Sequence, residues 1–159
     1  MKAKKFQKVL ITLDYDPSAQ KVAETGFAFA KNMDAQVILL HVIADPEYYV
    51  SAENVIVMGF SGFNEPYSKP IKGVKDILES SHQFLEKTKK HLGDETIQVL
   101  VKEGDFAETI LKTAKEVHAN VIVMGSHGKK WLEKILMGSV TEKVLRHTRI
   151  PLFIIPTQK

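Results

Sequence analysis

The sequence predicts a parallel α/β sheet of five strands with helices packed on both faces. Three observations carry that reading. Strand-like and helix-like stretches alternate along the 159 residues, the pattern of repeated strand–helix–strand units. Two strand-like runs, Val37-Ile38-Leu39-Leu40 and Val121-Ile122-Val123-Met124, are apolar without alternation, as expected of strands buried on both faces. Two others carry edge signals: 96–101 alternates, and 150–155 has Pro151 near its start, which removes a ladder donor. With the third and fifth strands at the edges and right-handed crossovers, the order is 3-2-1-4-5.

The elements follow in order. Lys8-Val9-Leu10-Ile11-Thr12-Leu13 is a short β-branched strand. Asp16 and Pro17 suit the N-cap and first position of a helix that carries Val22, Phe27, Phe29 and Ala30 and ends near Asn32. The second strand spans 35–43. Residues 45–70 are irregular, with three of the six prolines and glycines at 59 and 62. Their apolar part, 54–63, reads as a lid, an added hairpin, a partner surface, or packing under the next helix. Helical spacing returns over 73–92, with Val74, Ile77, Leu78, Ser81, Phe84, Leu85 and Leu92 near one face, and Gly93 stands where a C-terminal capping glycine belongs. The third strand, 96–101, turns Ile97, Val99 and Val101 to one side. Asp105 and Glu108 form a capping box for a helix to about Val117. After the fourth strand, a helix over 140–146 leads to the fifth.

Composition limits the function. A hydrophobic share of 44% with 26% charged residues fits one globular domain, 1–159, with a single core. The absence of cysteine excludes disulfides, a thiolate nucleophile and zinc–thiolate clusters and suits a cytoplasmic setting. Basic residues at Lys2, Lys4 and Lys5 precede no apolar leader, and no apolar run approaches the ~18 residues of a membrane span. The net charge of +3 is mild and its lysines are scattered. Anionic small ligands fit better than nucleic acid or a membrane.

The chemistry gathers behind the fourth strand. Gly125-Ser126-His127-Gly128 is followed by nine residues and then Gly138-Ser139, so a glycine-bearing loop leaves a strand and enters a helix. Such a loop lets backbone approach a phosphate, and the free N–H groups and positive dipole end of the helix face the anion. The alternative is a plain βα turn. Ser139 and Glu142 also read as a capping box, which is compatible with phosphate on the N–H groups of Ser139, Val140 and Thr141. Asp14 follows the first strand and suits a ribose or base, or caps its loop. In the order 3-2-1-4-5 the crevice opens between strands 1 and 4, where Asp14 and Gly125 converge. His127 suits a phosphate donor, a general acid or base, or a bystander. Lys129 and Lys130 screen phosphate charge or face water. Trp131, Leu132, Ile135 and Leu136 read as packing residues, with Trp131 also able to border a ligand. The P-loop, Gly-x-Gly-x-x-Gly after strand 1, His-Glu-x-x-His and Gly-x-Ser-x-Gly are all absent, so neither a catalytic residue nor a protein metal cage is assigned. The apolar run Leu152-Phe153-Ile154-Ile155 leaves an edge that invites pairing with a second copy.

The segments 121–128, 137–147 and 150–152, with Lys8 to Asp14 and Leu39-Leu40-His41-Val42, resemble the universal stress proteins over nearly the whole chain. The spacing Gly-x2-Gly-x9-Gly-Ser is that of the family's ATP-binding branch. The resemblance implies a Rossmann-like fold (adenine nucleotide alpha hydrolase-like, a three-layer sandwich), a cytoplasmic homodimer through 150–155, and ATP binding without a dedicated ATPase apparatus. Magnesium would be held mainly by the phosphates. By position, Thr12, Asp14 and Val42 border adenine and ribose, while Gly125, Gly128, Gly138, Ser139 and Val140 surround the phosphates. His127, Lys129, Lys130 and Thr141 lie in the same loops. Asp16 replaces a small polar residue common in the family. The resulting expectation is a nucleotide-dependent regulatory protein with unidentified protein partners. Its rivals are a weak ATP hydrolase or phosphotransfer enzyme, helped by His127 or Asp14, and a nucleotide-independent interaction protein.

Overall fold

The computed structural model describes residues 7–14, 18–44, 73–126 and 139–157. These form β1 (Lys8–Thr12), α1 (Ala19–Asn32), β2 (Gln36–Ile43), α2 (Val74–Leu92), β3 (Gln98–Glu103), α3 (Phe106–Glu116), β4 (Val121–Gly125), α4 (Ser139–His147) and β5 (Leu152–Ile155). The sheet order is β3-β2-β1-β4-β5 and every pairing is parallel, as the sequence predicts. The segment 45–70 lies outside the described residues.

Strand alternation divides the core. Val9, Ile11, Leu13, Val37, Leu39, Val121 and Val123 turn to one face, under α1 and α2 with Ala23, Ala30, Phe84 and Leu85. Leu10, Ile38, Leu40, Val42, Ile122 and Met124 turn to the other, under α3 and α4 with Ile110, Ala114 and Val144. β1 is therefore apolar on both sides because helices cover both sides. Ile97, just before β3, and Val99 and Val101 on it join the first cluster, and Leu100 the second. Gly26 lets α1 sit close on the sheet: a Cβ there would lie 3.0 Å from both Ile11 Cδ1 and Val123 Cγ1.

The capping expectations divide. Gly93 adopts φ 72°, and its N–H reaches the carbonyls of Lys89 and Lys90, a left-handed cap that glycine takes without strain. Asp105 Oδ1 accepts from the Glu108 N–H at 3.0 Å. The start of α1 differs from expectation. The first helical rung runs from the Val22 N–H to the Ser18 carbonyl at 3.1 Å, so Ser18 holds the capping position. Asp16 and Pro17 lie outside the described residues. In α4 the helix begins at Ser139, whose side chain is also outside them. Glu142 Oε1 accepts from Arg146 Nε and Nη2 at 3.0 and 2.7 Å, an i,i+4 pair within the helix. β5 starts at Leu152, two residues later than expected, because Pro151 has no N–H. Its carbonyl still accepts from the Ile122 N–H at 2.9 Å.

Surface carboxylates tie the connections down. Lys31 Nζ stands 2.6 Å from Asp94 Oδ2, and the Thr96 N–H and hydroxyl both donate to Asp94 Oδ1. The Lys31 contact first, then the two Thr96 bonds, hold the Asp94 carboxyl well below the usual range. Because folding lowers this pKa, the contribution is complete above about pH 4 and is lost as pH falls toward the folded value. Urea midpoints at neutral pH and at decreasing pH below 4 check this. Asp94→Asn should lower the neutral midpoint and flatten the acid-side slope, whereas an unchanged acid slope would contradict it.

Candidate functional site

The chain leaves β1 and β4 in opposite directions. β1 feeds α1, which covers one face and leads to β2. β4 leads through α4, on the other face, to β5. The two strands are direct neighbours, with Ile11 opposite Val123, so the topological switch point of the sheet lies between their C-terminal ends. Asp14, exposed, stands three residues beyond Ile11, and Gly125 two residues beyond Val123. The structure thus brings together the ends of the two strands that the sequence assigned to one site.

Side-chain hydroxyls brace this end of the sheet. Thr12 Oγ1 donates to the Val123 carbonyl at 3.2 Å, bridging β1 and β4. Buried Thr141 donates to the Gly125 carbonyl at 3.0 Å. That second bond draws the first turn of α4 against the end of β4, and Val140 packs on the core beneath α4. The early N–H groups of a helix have no intrahelical acceptor. Here the Thr141 bond sets the first turn of α4 beside Gly125. Both threonine hydroxyls give their proton to a β4 carbonyl, so backbone N–H groups are the better donors for an anion. Ser126 extends the brace toward the far edge: its N–H donates to the Ile155 carbonyl, and its Oγ accepts from the Thr157 N–H at 3.1 Å.

On the β2 side, Val42 is buried with its side chain in the cluster beneath α3 and α4. Its neighbour His41 was not singled out by sequence chemistry. His41 is 4% exposed. Its Nδ1 lies 2.7 Å from the Leu13 carbonyl, and its ring meets Phe84 edge-on at 5.9 Å. The signal was present: one imidazole inside a run of apolar residues buried on both faces must find a polar partner. Ser126 and Thr157, far apart in sequence, offered no such signal. His127, Gly128, Lys129, Lys130 and Gly138 lie outside the described residues, as do Trp131 and the side chain of Ser139.

The clear pKa shifts have scaffold causes. Glu24 is lowered by its bond to His91, Asp94 by Lys31, and Asp105 by the Glu108 N–H and then Lys143. Among the described residues, no three His, Cys, Asp or Glu side chains form a metal-ligating group, and no helix is long and apolar enough to cross a membrane.

Known proteins match along the chain. The model of the universal stress protein family covers residues 5–156. Universal stress protein MJ0577 of Methanocaldococcus jannaschii is 31% identical over 153 residues, 94% of each chain. Universal stress protein YxiE of Bacillus subtilis is 26% identical, over 94% of this chain and 99% of its own. The solved structure of MJ0577 superposes with a TM-score of 0.72 over 98% of this chain and 99% of that one, at 28% identity. A universal stress protein in complex with cAMP shares the fold at a TM-score of 0.64 and 18% identity, over 98% of this chain and 100% of that one. The sheet order, the glycine spacing behind β4 and the family match together establish that this chain belongs to the universal stress protein family.

Proposed function

We propose that this protein binds ATP in the crevice between the ends of β1 and β4 and acts as a nucleotide-dependent regulatory protein in the cytoplasm. The observation that carries the reading is the Thr141–Gly125 bond. It brings the first turn of α4 to the end of β4, at the topological switch point, where a helix N-terminus favours an anion. The glycines of 125–138 allow backbone to approach the phosphates, and Asp14 stands at the mouth for the ribose. Val42 and Thr12 border the base. Magnesium is held mainly by phosphate oxygens. His127, Lys129 and Lys130 add charge beside the phosphates. The cAMP complex of a fold neighbour supports an adenine nucleotide as the ligand class.

Calorimetry with ATP and magnesium tests this reading. The wild type should release heat on binding, and Gly128→Asp, which adds bulk and negative charge beside the phosphates, should abolish it. Silence of the wild type at millimolar nucleotide, or equal affinity in the variant, would contradict the site. Sustained turnover that is lost in His127→Ala would instead favour the enzyme reading.

The same proposal includes a homodimer through 150–155. The carbonyls of Pro151 and Ile155 accept from the N–H groups of Ile122 and Ser126, so odd-numbered residues of this segment bond to β4. By strand alternation the peptide groups of Leu152 and Ile154 point to the outer edge. Ile154→Pro removes an outward N–H without touching the β4 ladder. Sedimentation should show a dimeric wild type and a monomeric variant with a native circular dichroism spectrum. A monomeric wild type, or a variant that stays dimeric, would refute this interface.

A further inference from the structure

The ladder between β1 and β2 ends in an unusual way. The Leu13 N–H donates to the Leu40 carbonyl at 2.9 Å, one position past the last register pair, Thr12 with Leu40. In a parallel ladder the next bond would run from the Val42 N–H to the Leu13 carbonyl. Among the described residues that bond is not made. The Leu13 carbonyl meets His41 Nδ1 instead, at 2.7 Å. A carbonyl only accepts, so this nitrogen carries the proton. Phe84, edge-on at 5.9 Å, packs against the ring.

The direction of the Val42 N–H follows from the same alternation. The Gln36 N–H bonds to the Gln7 carbonyl, and the Leu40 carbonyl takes the Leu13 N–H. Even-numbered residues of β2 therefore face β1. The peptide N–H of Val42 shares that phase, and its side chain is anchored on the core beneath α3 and α4. Beyond the last β1 rung, this N–H is directed at the chain leaving β1 toward Asp14.

We propose that His41 is a positioning residue for base recognition. By turning the Leu13 carbonyl to its own Nδ1, it keeps the Val42 N–H out of the ladder and available at the strand ends, where that N–H donates to an acceptor nitrogen of a purine. The ligand in this proposal rests on the nucleotide reading above. Adenine presents an unprotonated N1 acceptor, whereas guanine presents N1–H, a donor facing a donor. A single fixed N–H therefore favours ATP over GTP, because a mismatched buried polar group goes unpaired.

Three proteins test it: wild type, His41→Leu and His41→Asn. Leucine removes the donor, and the Leu13 carbonyl is then free to recapture the Val42 N–H, so the fold gains a rung. Asparagine keeps an N–H close to the position of Nδ1. Without nucleotide, the Val42 amide should exchange with solvent faster than that of Leu40 in wild type and His41→Asn. In His41→Leu it should slow. With nucleotide, ATP affinity should fall about tenfold in His41→Leu, the scale of one lost hydrogen bond, and its preference over GTP should disappear. His41→Asn should recover both, and melting temperatures should show all three folded. A Val42 amide equally protected in all three, or nucleotide affinities unchanged by leucine, would overturn the proposal. If the wild type binds no nucleotide, the ligand reading and the recognition role both fall, while Val42 exchange still decides whether His41 ends the ladder.

Discussion

The constraint on which the rest depends is the divergence of the chain at the ends of β1 and β4. Both strands are central and parallel, and both are covered by helices on each face. Right-handed crossovers then send α1 to one side and α4 to the other. The ends of these two strands therefore border the topological switch point of the sheet. Gly26 tightens this arrangement by letting α1 approach Ile11 and Val123, which fixes both strands from one side.

A parallel sheet that stops must still satisfy the polar groups at its strand ends. Here side chains do much of that work. Thr12 covers the Val123 carbonyl, Thr141 the Gly125 carbonyl and His41 the Leu13 carbonyl, while Ser126 accepts from the Thr157 N–H. Each bond stops or bridges a strand at the same end of the molecule. The apolar surroundings strengthen such bonds and make their loss costly. Among the described residues, this end of the sheet is framed by carbonyls that side-chain donors close.

Much of the fold was legible in the sequence. Strands β2 and β4 announced themselves as unbroken apolar runs, and Pro151 and the alternation around Val99 marked the edges. Gly93 and Asp105 signalled caps that the structure realises. The start of α1 was less legible, because Asp16-Pro17 and Ser18 are all competent helix starters and the first rung decides between them. At the site, the placement of Asp14 and Gly125 followed from topology, and Thr12, Val42 and Thr141 from the family resemblance. The bracing roles of Thr12 and Thr141 were hidden, since hydrogen bonds across about 16 or 111 residues leave no periodic trace. His41 was visible only as a polar exception in an apolar run, and its partner became evident only once the β1–β2 register was known.

The central claim is that an adenine nucleotide lies across the ends of β1, β2 and β4. Backbone hydrogen exchange with and without ATP and magnesium tests it most directly. The account predicts slowed exchange confined to the segments around Asp14, Val42, Gly125–Gly128 and Gly138–Thr141. Protection spread evenly over the sheet, or confined to β3 and the far end of the molecule, would contradict it.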